Sequence, residues 1–243
     1  FLLLVTGRLQ TFVQETKAIF STSKTACCMV LAAIMISFNW GIFIWAVEAG
    51  RIVETSMGYY INPLMNVLFG VVFLRERLDK LQIAAVACAV LGIGVIIVQN
   101  GGLPWVAMGL SVTFALYSLL KKIIIAQPLT SIMIETLLIS PLAAGYLYYL
   151  STQGGNVYQV CDTQTMLLLA GAGVVTATPL LLFTACARKL PLKLVGFLQY
   201  ISPSITLLLG VFVYGEPFTG TIATAFGCIW FGLVLFIWSQ VRH

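Results

Sequence analysis

Charged residues are scarce in this 243-residue chain, since Asp, Glu, Lys and Arg together make up 9% of it. Soluble domains carry roughly 25% charged residues. This chain has about a third of that proportion, which is too little to cover the surface of a soluble protein. A soluble enzyme, a nucleic-acid-binding domain and a disordered protein are therefore excluded. Hydrophobic residues make up 60% of the chain. They form continuous stretches without alternation, which predicts membrane-spanning α-helices and not a β-barrel.

Histidine is nearly absent, because the sequence has a single one, the C-terminal His243. This weighs against His-based metal sites, general bases and catalytic triads in the body of the chain. The six cysteines form no Cys-x-x-Cys pair and lie almost entirely in apolar stretches, so neither a disulfide framework nor a zinc site is predicted. The sequence also lacks a P-loop. We therefore expect no enzyme, no catalytic residue, no metal and no cofactor.

Uncharged stretches recur along the chain and predict eight complete membrane spans. They cover about residues 25–47, 55–74, 81–99, 103–120, 136–151, 165–187, 194–214 and 218–239. Residues 1 to about 7 are typical of the end of one more helix, and a short polar, amphipathic stretch follows them. Short turns that contain Gly and Pro join the spans. We predict a single membrane domain, an all-α polytopic membrane protein.

The basic residues indicate an orientation. When successive loops are assigned alternately to the two sides of a membrane, Arg51 falls on one side and the other 12 of the 13 basic residues fall on the opposite side. The positive-inside rule assigns the basic side to the cytoplasm, which places the C-terminus there. The net charge of +5 is then a topology signal and does not indicate a nucleic-acid partner. The charged segment Arg75–Lys80 is expected to be a solvated cytoplasmic turn.

The sequence repeats itself without a gap at an offset of 140 residues. The segment Tyr60-Ile61-Asn62-Pro63 returns as Tyr200-Ile201-Ser202-Pro203. Further pairs at the same offset are Gly70 with Gly210, Glu76 with Glu216, Cys88 with Cys228 and Gly92 with Gly232. Equivalent loops carry their basic residues on opposite sides of the membrane, so the two halves are predicted to have inverted topology. Inverted repeats are a recurring architecture of secondary transporters.

The repeat predicts two halves, a first repeat at residues 1–102 and a second, inverted repeat at residues 103–243. The position equivalent to Leu103 would lie ahead of Phe1, so roughly 38 further residues are expected in a full protein, enough for one helix and part of the next. The first repeat is accordingly interpreted as shortened at its N-terminus. Ten spanning helices, in two inverted sets of five with both termini in the cytoplasm, are expected in the full protein.

Polar side chains follow one helical face of the span after Arg51. Tyr59, Asn62 and Asn66 have the spacing i, i+3, i+7, and their equivalents at the offset of 140 are also polar. Such side chains either line a pathway or bond neighbouring helices together. The shared register favours a pathway. For Trp40, which lies in the preceding span, packing against lipid is an equal alternative. The predicted pathway residues are Asn39, Trp40, Tyr59, Tyr60, Asn62, Asn66, Gln199, Tyr200, Ser202 and Thr206.

Prolines and carboxylates supply the remaining candidates. Pro63, Pro179 and Pro203 lie within predicted spans and are expected to bend their helices. Glu54 and Glu135 are candidate coupling carboxylates, because a partly desolvated carboxyl group titrates near neutral pH. Alternatively, each carboxylate stabilises the positive end of its own helix. Glu76 and its equivalent Glu216 are expected to be structural residues at helix ends.

These motifs resemble the EamA branch of the drug/metabolite transporter superfamily, and within it the RarD-type permeases. The likeness is carried by Asn39-Trp40, by the segment from Gly58 to Pro63, by Gly196-Phe197 with Gln199-Tyr200-Ile201, and by Tyr214-Gly215-Glu216. Ser202 departs from the pattern, where Gly is expected.

The resemblance implies a multi-pass permease of the bacterial inner membrane. It would move small drugs or metabolites through a central cavity by alternating access, without hydrolysing ATP. Its expected partners are a small-molecule substrate and the lipid bilayer, and no nucleic acid. A lipid flippase and a non-transporting membrane scaffold are the alternatives, and the substrate and the oligomeric state stay open.

Overall fold

A computed structural model describes residues 9–99, 101–102, 105–152, 163–213 and 219–242. Within these ranges the chain forms ten α-helices and no β-strand, which confirms the all-α prediction. The helices are α1 Leu9–Phe20, α2 Ser23–Glu48, α3 Ile52–Leu74, α4 Lys80–Gln99, α5 Trp105–Ile123, α6 Pro128–Thr152, α7 Thr163–Lys189, α8 Leu192–Gln199, α9 Ile201–Phe212 and α10 Gly220–Arg242.

Eight stretches of the described chain are long and apolar enough to cross a membrane, as the hydropathy predicts. Helices α2 to α7 and α10 each form one of them, and the stretch Leu192–Leu209 combines α8 with most of α9. Helix α1 occupies the stretch that the sequence marks as polar and amphipathic. The predicted helix remnant at residues 1 to about 7, and Glu216, lie outside the described residues.

Two boundaries differ from the prediction. Helix α6 begins at Pro128, about two turns before the expected start, so Glu135 lies inside the helix and not at its first turn. The predicted span at residues 194–214 is interrupted at Tyr200, between α8 and α9. Pro203 has no N–H to offer the carbonyl group four residues earlier, and it lies in the first turn of α9, where that loss is tolerated.

The helices present large apolar side chains on their outer surface. Phe212 is 80% exposed and Val241 is 82% exposed, and helix α7 exposes Leu, Met and Val along much of its length. Water would penalise so much exposed apolar surface, whereas lipid tails accept it. The chain is therefore a multi-pass membrane protein.

The chain divides into two compact units. One consists of the chain up to Ser37 together with Leu120–Lys189, and the other of Phe38–Leu119 together with the chain from Leu190 onwards. In the first unit, α6 packs against α1 and α7. In the second, α8 packs against α3, and α4 packs against α10 along most of its length. The second unit thus combines segments from both predicted halves.

Helices α4 and α10 approach each other through two glycines. A Cβ atom at Gly92 would lie 2.6 Å from the carbonyl oxygen of Ala225, and a Cβ atom at Gly232 would lie 2.7 Å from the carbonyl oxygen of Ala85. Small residues let helix backbones approach this closely in membranes. Each contact is the equivalent of the other at the offset of 140 residues, so the repeat in the sequence has a counterpart in the packing.

Candidate functional site

The second unit contains a cavity of about 350 Å³ between α3 and α9. Its wall is made of hydroxyl-bearing side chains, aromatic rings and one proline, and no charged residue. The lining residues are Ser56, Tyr59 and Tyr60 of α3 and Ser202, Pro203 and Thr206 of α9. Five of the six are predicted pathway or helix-bending residues, and the structure brings them together; Ser56 is the one that the sequence did not single out.

Two hydroxyl groups of this wall donate their protons to their own helices. The Ser56 hydroxyl donates to the carbonyl oxygen of Ile52 over 3.0 Å, and the Thr206 hydroxyl donates to that of Ser202 over 3.1 Å. Their oxygen atoms keep lone pairs that can accept further hydrogen bonds. The cavity therefore offers acceptors and aromatic surface to a small solute.

Three amide side chains form a cluster one turn further along α3. Asn66 donates from Nδ2 to Oε1 of Gln199 over 2.6 Å, and Asn62 donates from Nδ2 to the same oxygen over 3.4 Å. Asn66 is fully buried. Among the described residues, Oδ1 of Asn62, Oδ1 of Asn66 and the hydroxyl of Tyr200 are buried without a hydrogen-bond partner. These four predicted pathway residues close the space between α3 and α8.

Glycine at position 196 permits this closure. A Cβ atom there would lie 2.6 Å from the carbonyl oxygen of Pro63 and 3.2 Å from Cβ of Asn66. Any larger residue would push α8 away from α3, because a backbone carbonyl cannot move aside cheaply. The sequence contains Gly196 in a family motif, but its contact with a proline 133 positions earlier leaves no local signal.

The cavity and the amide cluster are equivalent regions of the two halves. At the offset of 140, the cavity residues Ser56, Tyr59, Tyr60, Ser202, Pro203 and Thr206 correspond to Gly196, Gln199, Tyr200, Asn62, Pro63 and Asn66. All six members of one set border an open space of about 350 Å³. The other set is packed together and hydrogen-bonded. Equivalent positions of the repeat thus border an open space in one place and are closed together in the other.

Two predicted pathway residues lie elsewhere in the second unit. Asn39 donates from Nδ2 to the carbonyl oxygen of Leu110 over 2.8 Å and to Oγ1 of Thr113 over 2.9 Å, which ties α2 to α5. Trp40 is exposed, and its ring packs edge-on against Phe43 with 5.9 Å between ring centroids. Neither residue borders the cavity or the amide cluster, and a pathway role for them stays a prediction.

Both candidate coupling carboxylates form ion pairs. Glu54 accepts a hydrogen bond from Nε of Arg51 over 2.6 Å at the start of α3. Glu135 is buried in α6 and pairs with the buried ammonium group of Lys121 in α5, and Ser131 bonds to both. Lys121 stands 14 positions before Glu135 and belongs to another helix, so the sequence did not reveal the pair. A coupling role for either carboxylate stays a prediction.

Glu76, which the sequence predicts to be a structural helix-end residue, reaches another helix. Its carboxylate accepts the backbone N–H of Leu192 over 2.6 Å on Oε1 and that of Lys193 over 2.9 Å on Oε2. These are the first two amides of α8, which have no partner inside their own helix. The carboxylate thereby caps α8 from the turn between α3 and α4.

The same turn also contacts a second neighbouring helix. Asp79 accepts a hydrogen bond from the hydroxyl of Ser239 in α10, and its Oδ1 accepts the backbone N–H of Gln82 over 2.8 Å. Gln82, which is 3% exposed, donates from Nε2 to the Ser239 hydroxyl over 3.0 Å. The turn is partly solvated, and its acidic residues are also hydrogen-bonded within the protein. They bind neighbouring helices that are distant in sequence.

Comparison with known proteins identifies the family. The model of the EamA-like transporter family matches residues 1–98. The chain is 48% identical over 216 residues to the uncharacterized transporter YojE of Bacillus subtilis, covering 88% of this chain and 71% of that protein. It is 39% identical over 228 residues to the protein RarD of Salmonella typhi, covering 94% of this chain and 78% of that protein.

A third relative is the chloramphenicol-sensitive protein RarD of Pseudomonas aeruginosa, which is 33% identical over 224 residues, 92% of this chain and 74% of that protein. No solved structure matches the chain. EamA-like proteins are transporters and not an enzyme class, and the apolar helices agree with this. The chain is a membrane permease that belongs to the EamA-like transporter family, as a member of its RarD type.

Proposed function

We propose that this permease moves small drugs or metabolites across the bacterial inner membrane by alternating access through the cavity between α3 and α9. One observation carries the proposal. The open cavity and the closed amide cluster consist of residues that are equivalent under the 140-residue repeat. When one set is open and the other closed, exchanging their conformations gives a second state of similar construction, which opens to the opposite side of the membrane.

The structure supports one of the two states in this scheme. The cavity lies beside the N-terminal part of α3, and the amide cluster lies one to two turns further along that helix. The following turn, at Arg75–Lys80, belongs to the basic side that the positive-inside rule assigns to the cytoplasm. The described state is then closed towards the cytoplasm and open towards the outside, with both termini of the full protein in the cytoplasm.

In the second state, the contacts of the amide cluster would be replaced by contacts between the residues that are equivalent under the 140-residue repeat. Tyr59 would move onto Ser202 and Thr206, as Gln199 now bonds to Asn62 and Asn66. The uncharged wall favours neutral or zwitterionic small molecules over polyanions, because an unpaired anion would be costly to desolvate there. The predicted halves at residues 1–102 and 103–243 supply one side of each contact.

A comparison of exported metabolites tests this proposal. We expect an overproducing strain to accumulate a set of small molecules in the medium that a deletion strain does not. Asn62→Leu and Gln199→Leu should each abolish that difference, because they remove the amides that close one side. Thr136→Val is a matched control, since its hydroxyl donates to its own helix in the first unit and lies outside the cavity and the amide cluster.

Unchanged export in both variants, with normal membrane insertion, would overturn the assignment of the pathway. The absence of any exported molecule would favour the alternatives, a lipid flippase or a scaffold. Movement of a fluorescent phospholipid in proteoliposomes of phosphatidylethanolamine and phosphatidylglycerol separates these two.

A further inference from the structure

Helix α8 has eight residues and is held at three points along its length, by α3 and by the turn that follows α3. Its first amides bond to Glu76, Gly196 lies against the carbonyl oxygen of Pro63, and Gln199 accepts hydrogen bonds from the amides described above. At Tyr200, where α8 ends and α9 begins, the backbone N–H bonds to the carbonyl oxygen of Phe197, three residues earlier, and Pro203 has no N–H to offer the carbonyl oxygen of Gln199. Helix α8 is therefore a short unit, and the helical hydrogen bonding is interrupted directly after it.

The turn that carries Glu76 is shaped to place its carboxylate on α8. Arg75 has a left-handed backbone with φ of 55°, and the N–H of Glu76 donates to the carbonyl oxygen of Gly70 over 3.0 Å. A Cβ atom at Gly70 would lie 2.8 Å from Oε2 of Glu76, so glycine provides the space that the carboxylate occupies. Left-handed backbone in a non-glycine residue costs about 1–2 kcal/mol. The surrounding contacts hold this strained turn in place.

A carboxylate is well suited to this contact. The N-terminus of a helix carries partial positive charge, and hydrogen bonds to a charged acceptor are stronger than neutral ones. The side chain of Lys193 strengthens the same end of α8, because its Nζ donates to the carbonyl oxygen of Arg77 over 2.7 Å and to Oε1 of Gln82 over 2.9 Å. The N-terminal end of α8 is thus fastened to the turn and to α4.

We propose that Glu76 is a positioning residue that latches α8 and so sets the fraction of molecules closed towards the cytoplasm. The inference rests on the proposed alternating access. Gln199 leaves Asn62 and Asn66 only when α8 moves away from α3, and the two bonds to the carboxylate oppose that movement. Glu76 touches no substrate in this account and acts through α8.

A buried reporter measures the position of α8. Val67 is 3% exposed, and its Cγ2 lies 3.1 Å from the Cβ position of Gly196. In a background without the native cysteines, Val67→Cys should react with a membrane-impermeant maleimide only when α8 leaves α3. Inside-out vesicles give the reagent access from the cytoplasmic side, and right-side-out vesicles provide the comparison.

Glu76→Gln is nearly isosteric and keeps one acceptor oxygen. We expect it to raise the labelling rate of Val67→Cys from the cytoplasmic side about fivefold to tenfold, the difference between a charged and a neutral acceptor. Glu76→Asp keeps the charge but shortens the reach and should give a smaller increase. Glu48→Gln makes the same chemical change at an exposed carboxylate and should leave the rate unchanged. Amide exchange at Leu192 and Lys193 should rise in both Glu76 variants.

Faster amide exchange without faster cytoplasmic labelling would make Glu76 an ordinary helix cap and overturn the latch. Failure of both Glu76 variants to insert would assign the residue to the fold alone and overturn it as well. A different outcome would overturn the proposed function itself. In that outcome, the protein that keeps Glu76 and carries Val67→Cys is never labelled from the cytoplasmic side during export. If that protein is labelled, and Glu76→Gln does not change the labelling rate, only the latch is contradicted.

Discussion

Single residues control the contact between α3 and α8, and glycine at position 196 has the sharpest requirement. The carbonyl oxygen of Pro63 occupies the place where any side chain at this position would begin. The bond between Asn66 and Gln199 depends on this approach, because it joins the same two helices. The identity of residue 196 therefore determines whether the amide cluster closes.

Gly196→Ala is expected to destabilise the protein by about 1–3 kcal/mol, the usual cost of an atom inserted into a packed contact. Thermal unfolding in detergent measures the change. Gly94→Ala is the matched control, since nothing lies within 4 Å of a Cβ atom there, and alanine favours the helix by up to about 1 kcal/mol. Equal melting temperatures for the two variants would contradict the close contact.

The ion pair between Lys121 and Glu135 calls for a double-mutant cycle. Lys121→Met alone should cost about 3–5 kcal/mol, because it leaves a buried carboxylate without its partner. Adding Glu135→Leu should restore most of the stability, since a buried pair replaced by apolar residues is often neutral. A double variant as unstable as the sum of the two single variants would refute this. A double variant that still exports at the normal rate would exclude a coupling role for Glu135.

The sequence predicted many of these residues but few of their partners. The spacing of Asn62 and Asn66, and the equivalence of Gln199 with Tyr59, follow from periodicity and from the repeat. The contact of Glu76 with Leu192 spans 116 positions, and a helix cap supplied from so far along the chain leaves no local pattern. Polar contacts between distant segments depend on how helices pack, which hydropathy does not encode.

At the scale of helices, α4 and α10 pack together in the second unit through two equivalent contacts. Their glycines meet the carbonyl oxygens of Ala225 and Ala85 at 2.6 and 2.7 Å, in two contacts that the repeat relates. The rings of Phe197 and Phe236 stack nearby with centroids 3.9 Å apart. The number and type of the spans followed from apolar length alone. The position of the interruption at Tyr200 did not, although Pro203 predicts a bend in the same span.

Gly92→Ala and Gly232→Ala should destabilise the protein by similar amounts, about 1–3 kcal/mol each, since each inserts a methyl group against a backbone carbonyl in an equivalent place. Thermal unfolding of the two variants in the same detergent gives the comparison. Gly227→Ala in the same helix α10 meets nothing within 4 Å and serves as the control. A large loss in one variant and none in the other would contradict the equivalence of the two contacts.

For the whole molecule, family membership and the membrane-spanning helices establish a permease. The difference between the open cavity and the closed amide cluster supports the proposed mechanism of alternating access. The cavity and the amide cluster occupy equivalent positions of the repeat but have opposite states of closure. The repeat in the sequence predicted the two polar stripes in register. It could not predict which stripe is open, because both arrangements satisfy the same sequence and only the packing of one state distinguishes them.

Disulfide crosslinking between equivalent positions tests this central claim most directly. In a background without native cysteines, Tyr59→Cys with Thr206→Cys joins the two walls of the cavity, and Asn66→Cys with Gln199→Cys joins the helices that are now in contact. We predict that both pairs form in membranes, because each pair of helices meets in one of the two proposed states. We also predict that the crosslink across the cavity makes Val67→Cys reactive from the cytoplasmic side. Failure of the cavity pair to crosslink, or crosslinking that leaves Val67→Cys unreactive, would contradict alternating access through these two sites.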